Sequence, residues 1–204
     1  MNANWVPFDV TDAHENPFVQ FDRWFEDARG VVREPEAITL VSASANAHPS
    51  ARMVLLRLRS ERGFGFFTNY ESRKGRELAE NPHAALLWYV EPLGRQVRIE
   101  GDVERVDEAT SDAYFASRPR GHQIGAHASH QSARLESRGE LESRVADLTA
   151  RFEGHDIERP AYWGGYELIA THFEFWQHRE DRLHDRVMYQ RVDAGEWTRF
   201  RASP

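Results

Sequence analysis

Between residues 37 and 106 the chain is cut by turn signals into short apolar runs, and this punctuation limits the possible folds more than any other feature. Runs at 37–43, 51–59 and 64–69 are separated by the turns at 46–49 and at Glu61-Arg62-Gly63, and runs at 83–90 and 95–106 flank Pro92-Leu93-Gly94. Apolar segments of this length, bounded by Gly, Pro and Asn, read as strands. A helix at 72–80 is stopped by Asn81-Pro82, because the residue before a proline is driven out of the helical region. Five strands on short connections predict an antiparallel meander curled into a small barrel, mainly β with flanking helices.

Phe18, Phe21 and Phe25 recur at spacings of three and four with Asp22, Glu26 and Asp27 elsewhere on the cylinder, which predicts a core-covering helix at 17–29 after an irregular arm, 1–16. Further helices are predicted at 108–117, 122–129 and 138–152, the last with Leu141, Val145, Leu148 and Phe152 on one stripe. A linker at 153–160 leads to closing strands at 166–175 and 184–191, with 197–200 as a final partner. No repeat or boundary divides the 204 residues, so one domain is expected, and 40% hydrophobic residues supply its core. No apolar run approaches the roughly 20 residues that span a bilayer, and the N-terminus has no basic segment followed by an apolar one, so a cytoplasmic protein is expected. The absence of cysteine excludes disulfides, thiolate metal sites and thiol nucleophiles. A net charge of −7 disfavours general binding to nucleic acid or anionic membranes.

Candidate chemistry lies in local basic clusters. The single lysine, Lys74, among 26 basic side chains stands in Ser72-Arg-Lys-Gly75 where a helix opens; either it stands there by chance, or a compact ammonium serves a phosphate beside free helix N–H groups. Arg52 and Arg57 bracket an apolar run, and Arg118, Arg120 and His122 form another cluster. If 182–186 is extended, Arg182, His184 and Arg186 project to one face as a cationic wall with one imidazole. The alternative is a solvated strand edge paired with Glu180, Asp181 and Asp185.

In order, Ala51-Arg-Met-Val-Leu-Leu, Phe67-Thr-Asn, Ser72-Arg-Lys, Arg95-Gln, Ser117-Arg-Pro-Arg, Gln123-Ile-Gly-Ala, Gln131-Ser, Trp163-Gly-Gly, Phe175-Trp-Gln and Arg182-Leu-His-Asp-Arg resemble the pyridoxine (pyridoxamine) 5′-phosphate oxidase family, in register from about 22 to 204. The resemblance implies a split β-barrel homodimer with FMN at the subunit interface. It assigns Arg52, Arg73 and Lys74 to the FMN phosphate, and Met53, Val54, Leu55 and Leu56 to the isoalloxazine and ribityl chain. Phe67, Thr68, Gln96, Gln131, Ser132, Trp176 and Arg186 match further FMN contacts, some lent by the second subunit. Arg57, Tyr114, Arg118, His122, Arg182 and His184 match the substrate side, with Arg182 and His184 setting the reacting carbon against the flavin. In that family a small aromatic phosphate gives a hydride from its 4′ carbon to flavin N5, and O2 reoxidises the flavin.

Departures fall on the substrate side. Arg57 stands where the family usually has lysine, His122 where it has serine, His127 where tryptophan is common, and His178-Arg179 where glycine often leads. Three readings follow: a B6-phosphate oxidase, a related FMN oxidase of secondary metabolism such as those of phenazine biosynthesis, and a non-catalytic flavin-binding module.

Overall fold

The structure is a computed structural model that describes residues 6–193 and 195–204, so residues 1–5 of the expected arm lie outside the described residues. Residues 6–16 form only turns and bends. Helix α1 (Pro17–Ala28) opens with Asn16 accepting from the Phe18 N–H and Pro17 in the first turn, where a missing N–H is harmless, and it buries Phe21, Trp24 and Phe25.

Strands β1 (Ala37–Ala43), β2 (Pro49–Leu55), β3 (Leu58–Arg59), β4 (Gly63–Asn69), β5 (His83–Val90), β6 (Arg95–Arg105) and β7 (Trp163–Gln177) lie in the order β2-β1-β5-β6-β7-β4-β3, all antiparallel where paired. The expected strand 51–59 is therefore two strands at opposite ends of the order. At its middle the Leu56 N–H donates to the Glu36 carbonyl (2.8 Å) and the Arg57 N–H to the Gly65 carbonyl (2.8 Å), so the chain changes partners within two residues. That corner joins the two ends of the sheet and closes the barrel, leaving few open edges. The expected meander is corrected at the same place: β4 pairs with β7, whose first residue lies almost a hundred positions further along the chain, rather than with β2 or β5.

β7 is longer than its expected span of 166–175. Its first half pairs with β4 and its second with β8 (Asp185–Arg191), which in turn pairs with β9 (Trp197–Arg201). The β6–β7 register shifts between Glu100 and Gly101, and a Cβ on Gly101 would lie 2.0 Å from the Ile169 carbonyl oxygen, so the bulge requires glycine. The barrel interior is aromatic: Phe21 meets Phe64 edge-on at 4.8 Å, and Trp24 meets Phe175 at 5.2 Å.

Helix α2 (Arg73–Glu80) follows β4, and α3 (Glu108–Ser117), α4 (Arg120–Ala128) and α5 (Arg138–Arg151) precede β7. Phe115, Ile124, Ile157 and Trp163 form a smaller core beneath the last three. Of the expected α5 stripe, Leu148 and Phe152 pack against this core while Val145 is exposed. Among the described residues no helix is long and apolar enough to cross a membrane.

The condition attached to the cationic wall, an extended chain over 182–186, is not met. Residues 180–182 form a 3-10 turn in which Asp181 and Arg182 both have left-handed backbones (φ 54° and 60°), and extended chain begins only at Asp185. The turn closes the β7–β8 hairpin, whose last pair is Gln177 with Asp185, so Arg182 shares no period-two face with His184 and Arg186.

Candidate active site

The N-terminus of α2 gathers several hydrogen-bond donors. Ser72 caps it, accepting from the Gly75 N–H (3.2 Å) and donating to the Asn69 carbonyl (2.7 Å). Gly75 lets the first turn press on β4's exit, since a Cβ there would fall 2.1 Å from the Tyr70 carbonyl oxygen. Lys74, 9% exposed, donates to Thr68 Oγ1 and Gln131 Oε1, both at 3.0 Å, and the Arg73 N–H donates to Ser132 Oγ at 3.1 Å. These contacts gather Lys74, Arg73, Thr68, Gln131 and Ser132. Burial, and then the nearby Arg52 charge, push Lys74 down to about 8, with Glu77 opposing. A buried ammonium whose hydrogen-bond acceptors are all neutral suits an anionic ligand, and the donor set fits a phosphate.

Arg52, which the resemblance assigns to the flavin phosphate, is held in a polar network. Its Nη1 donates to Ser42 Oγ (2.6 Å) and the Leu40 carbonyl (3.3 Å), and its Nη2 to Ser50 Oγ and to Glu77 Oε2 (3.1 Å). Glu77 also accepts from Ser42 and Ser50 (both 2.6 Å) and from Arg73 Nε (2.8 Å). Burial alone would raise its carboxyl, but these four donors hold it down to about 2. Sequence reasoning missed Glu77; its one local signal is the Arg73-x-x-x-Glu77 spacing on α2.

Beside Lys74 opens a cleft of ≈ 560 Å³ between the wall of β2 and β4 and helices α3 and α4. Met53, Val54, Leu55, Phe67, Thr68, Lys74 and Gln131 line it together with Arg57, Tyr114, Arg118 and His122, so candidates for the flavin and the substrate share one space. Leu56 lies instead in the barrel core. One side of the cleft is a stack of near-parallel rings, Phe67 with Tyr114 at 3.9 Å and Trp163 with Phe67 at 5.6 Å. Arg118 Nη1 is buried without a hydrogen-bond partner, and burial lowers the guanidinium's affinity for its proton. The position of Trp163 in this stack was also missed by sequence reasoning.

The remaining candidates line no part of this cleft. Gln96, Trp176 and Arg186 lie side by side in one register row across β6, β7 and β8. Arg186 Nε and Arg98 Nη2 both reach Glu174 at 2.6 Å, and Arg186 Nη1 donates to the Ser203 carbonyl (2.6 Å). The His184 ring sits 4.5 Å from Trp176 and 5.1 Å from His178, with Nδ1 accepting from the Arg179 N–H at 3.1 Å. Burial, then the charges of His178 and Arg182, push His184 below its ordinary 6.5. Arg182 is exposed on the hairpin turn.

Comparison with known proteins places this arrangement. Residues 25–152 match the family model described as pyridoxamine 5′-phosphate oxidase, and residues 163–204 match the pyridoxine 5′-phosphate oxidase C-terminal dimerisation region. The chain is 54% identical over 204 residues to a pyridoxine/pyridoxamine 5′-phosphate oxidase of Paraburkholderia phymatum, and 52% identical over 206 residues to one of Burkholderia mallei (strain SAVP1), each alignment covering 100% of this chain and 96% of the relative. Among solved structures it resembles PhzG from Burkholderia lata 383, in complex with tetrahydrophenazine-1-carboxylic acid, with a TM-score of 0.92, 33% identity and 100% coverage of both chains. With two family models matching in sequence order and full-length relatives above half identity, the chain belongs to the pyridoxine/pyridoxamine 5′-phosphate oxidase family.

Proposed function

We propose that this protein is a homodimeric FMN-dependent oxidase that converts pyridoxine 5′-phosphate or pyridoxamine 5′-phosphate to pyridoxal 5′-phosphate with O2 as acceptor. The observation that carries this reading is the pair of cationic poles on one cleft, buried Lys74 at one and unpartnered Arg118 Nη1 at the other, with a stack of flat rings alongside. Two anionic groups and planar rings suit that space, as a flavin monophosphate and an aromatic phosphate would supply.

Lys74, the Arg73 N–H and Ser132 hold the flavin phosphate at the α2 N-terminus, while Thr68 and Gln131 fix the ammonium in place. Met53, Val54 and Leu55 give the ring system an apolar edge. FMN, when bound, supplies the two-electron acceptor and passes the electrons to O2. Arg118, with Arg57 and His122, takes the substrate phosphate against the ring stack. The 4′ carbon loses a hydride equivalent and its amine or hydroxyl loses a proton; O2 gains two electrons and two protons and leaves as hydrogen peroxide. The hydroxyl substrate thus becomes the aldehyde directly, whereas the amine becomes an imine that takes up water and releases ammonia to give the same aldehyde.

The dimer is supported by the match to the dimerisation region and by an unpartnered sheet face. Met53, Thr39, Leu87, Arg98, Glu174, Met188 and Phe200 are successive register partners on one face, where Met53, Tyr89 and Phe200 are 60%, 56% and 48% exposed. Gln96, Trp176 and Arg186 occupy the neighbouring row on that face, so a second copy docked there would bring them, with Arg182 and His184, to the cleft. Tyr89→Glu is expected to yield monomers by light scattering that retain their fold but lose flavin on dialysis; a flavin-loaded monomer would refute the shared site.

With Nδ1 occupied by the Arg179 N–H, the neutral His184 carries its proton on Nε2, and its depressed pKa keeps it neutral near pH 7. Protonating Nδ1 breaks that bond. The kcat/KM profile is therefore expected to lose activity as pH falls through an apparent pKa below 6.5, and His184→Ala to remove that limb and slow turnover by on the order of a hundredfold with FMN affinity kept.

The test of the whole reading is an aerobic assay of the FMN-loaded protein with both B6 phosphates, following pyridoxal 5′-phosphate and peroxide together. Turnover is expected. The second reading, a phenazine-type oxidase, draws on the likeness to PhzG and on His122 and Arg57 in the cleft; a bound flavin that neither B6 phosphate reduces would favour it.

A further inference from the structure

We propose that Trp163 is the positioning residue for Arg118: its indole face holds the guanidinium in the cleft without neutralising it, so that the full charge meets the anionic group of the substrate. The inference rests on the reading of the cleft as a substrate site and assigns Trp163 a role within it.

Arg118 forms the C-cap of α3, its N–H donating to the Phe115 carbonyl at 3.2 Å, so the helix end fixes where the side chain starts. Its Cζ lies 4.6 Å from the Trp163 ring centroid and 5.6 Å from that of Phe115. Among the described residues no carboxylate forms an ion pair with it, in contrast to Arg159 on the same side of the fold, whose Nε binds Asp112. Nη1 is buried and unpartnered. A guanidinium out of water is ordinarily matched by a carboxylate, but a carboxylate would compete with any incoming phosphate. An aromatic face attracts the cation through its quadrupole and leaves its N–H groups free in the ring-parallel plane.

Trp163 is itself fixed independently of Arg118. It begins β7 in register with Asn69, its carbonyl accepts from Arg159 Nη1 at 2.7 Å, Phe115 meets it edge-on at 5.2 Å, and it lies nearly parallel to Phe67. It is 6% exposed, so the platform is part of the small core and does not reorganise with the solvent. Tyr114, the titratable neighbour whose charge state bears on Arg118, stacks in the same set of rings.

The test is a double-mutant cycle on the FMN-loaded protein with Trp163→Leu, Trp163→Phe and Arg118→Ala, using inorganic phosphate as the probe in calorimetry and pyridoxamine 5′-phosphate for kinetics. A second readout needs no ligand: the Arg118 Nε–H resonance, which the indole ring current displaces. Trp163→Leu is expected to abolish that displacement, to weaken phosphate roughly tenfold and to raise KM with kcat kept, the size of a desolvated cation–π contact. In the Arg118→Ala background it is expected to change phosphate binding no further. Trp163→Phe, which keeps a ring face, is expected to restore most of both signals. Equal weakening in both backgrounds, or an Arg118 resonance indifferent to Trp163, would overturn the proposal. A Trp163-dependent resonance and phosphate affinity in a protein that turns over neither B6 phosphate would uphold the positioning role while removing the B6 reading beneath it.

Discussion

Lys74→Met should bind FMN on the order of a hundredfold more weakly than the parent while making the flavin-free protein more stable, because the proposed ligand to the flavin phosphate is an ammonium kept at the expense of the fold. The weakening follows from a charge-assisted contact in a buried setting, lost with its hydrogen bonds still well placed: Thr68 and Gln131 remain bonded to each other at 3.1 Å, so the site does not collapse. The stabilisation follows from linkage. Lys74 sits at about 8 in the fold against an ordinary 10.5, so the unfolded chain holds that proton more tightly. Below about pH 8 both states are protonated and the penalty for the buried charge is constant, of order 2 kcal/mol after allowance for screening. Between about 8 and 10.5 the folded state releases its proton first, and the penalty fades as pH rises. Urea titrations of the apo proteins at pH 7 and pH 10 should therefore show a gap at the lower pH that shrinks at the higher. Flavin binding has the opposite slope: above about pH 8 the parent must take up a proton to bind the phosphate, so its affinity should fall with pH, and that of Lys74→Met should not. A parent affinity independent of pH from 7 to 10 would exclude Lys74 from the phosphate site.

Replacing Glu77 with leucine should be the most destabilising single change at the site, by about 3–5 kcal/mol, because it strands the buried Ser42 hydroxyl and the partly buried Arg52 and Ser50 donors instead of removing a pair. Arg52 Nη2, Arg73 Nε and the Ser42 and Ser50 hydroxyls all lose their common acceptor, and Arg52, Arg73 and Lys74 are left as neighbouring cations with no counter-charge. Against a typical total of about 5–15 kcal/mol, this is enough to leave much of the protein unfolded at modest temperature. Glu77→Gln keeps most acceptors and should lose less. The pH dependence runs in the usual carboxylate sense: with the folded carboxyl at about 2 and the ordinary value at 4.5, the stabilisation is fully present above 4.5 and is lost as pH falls towards 2. Acid titration of the parent should show a steep loss in that window which Glu77→Gln lacks. Matching acid profiles for the two would mean that Glu77 is not the carboxylate that the donors hold.

The two predictions meet at one feature of α2. Arg52 spends all four terminal N–H groups on Leu40, Ser42, Ser50 and Glu77, so its contribution to an anion is mainly its field, which also lowers Lys74. The direct contacts proposed for the flavin phosphate are those of Lys74 and the Arg73 N–H, whose partners Thr68, Gln131 and Ser132 are neutral and can yield to an anion, whereas Arg52 is tied to the Glu77 carboxylate. The reading of Arg52 as a phosphate contact and the reading of Lys74 as one are thereby separable: Lys74 should dominate the affinity, and Arg52 the salt dependence.

Local structure was legible in the sequence wherever a short-range rule decides it. Asn81-Pro82 ends α2, Ser72 begins it, Pro92-Leu93-Gly94 turns β5 into β6 with Gly94 at φ 58°, and the helix at 108–117 has the bounds read from its pattern. The lone lysine could be placed at a helix N-terminus for the same reason, because capping and dipole act within one turn. What the sequence could not carry was anything fixed by partners distant along the chain. The pairing of β4 with β7, the partner change at Leu56 and Arg57 that closes the barrel, and the choice of Glu77 as the hub for Arg52 each depend on which segments meet in space. Whether 182–186 is extended stayed open in the sequence because alternating charge looks the same in a strand edge as in a hairpin loop; only the Gln177–Asp185 pairing decides between them. Nor could periodicity show that Trp163 and Arg118 meet, since one begins a strand and the other ends a helix 45 positions earlier in the chain. Side-chain spacing records the neighbours a residue has within a few turns of backbone, and barrel closure and buried charge are set by neighbours that only the folded chain supplies.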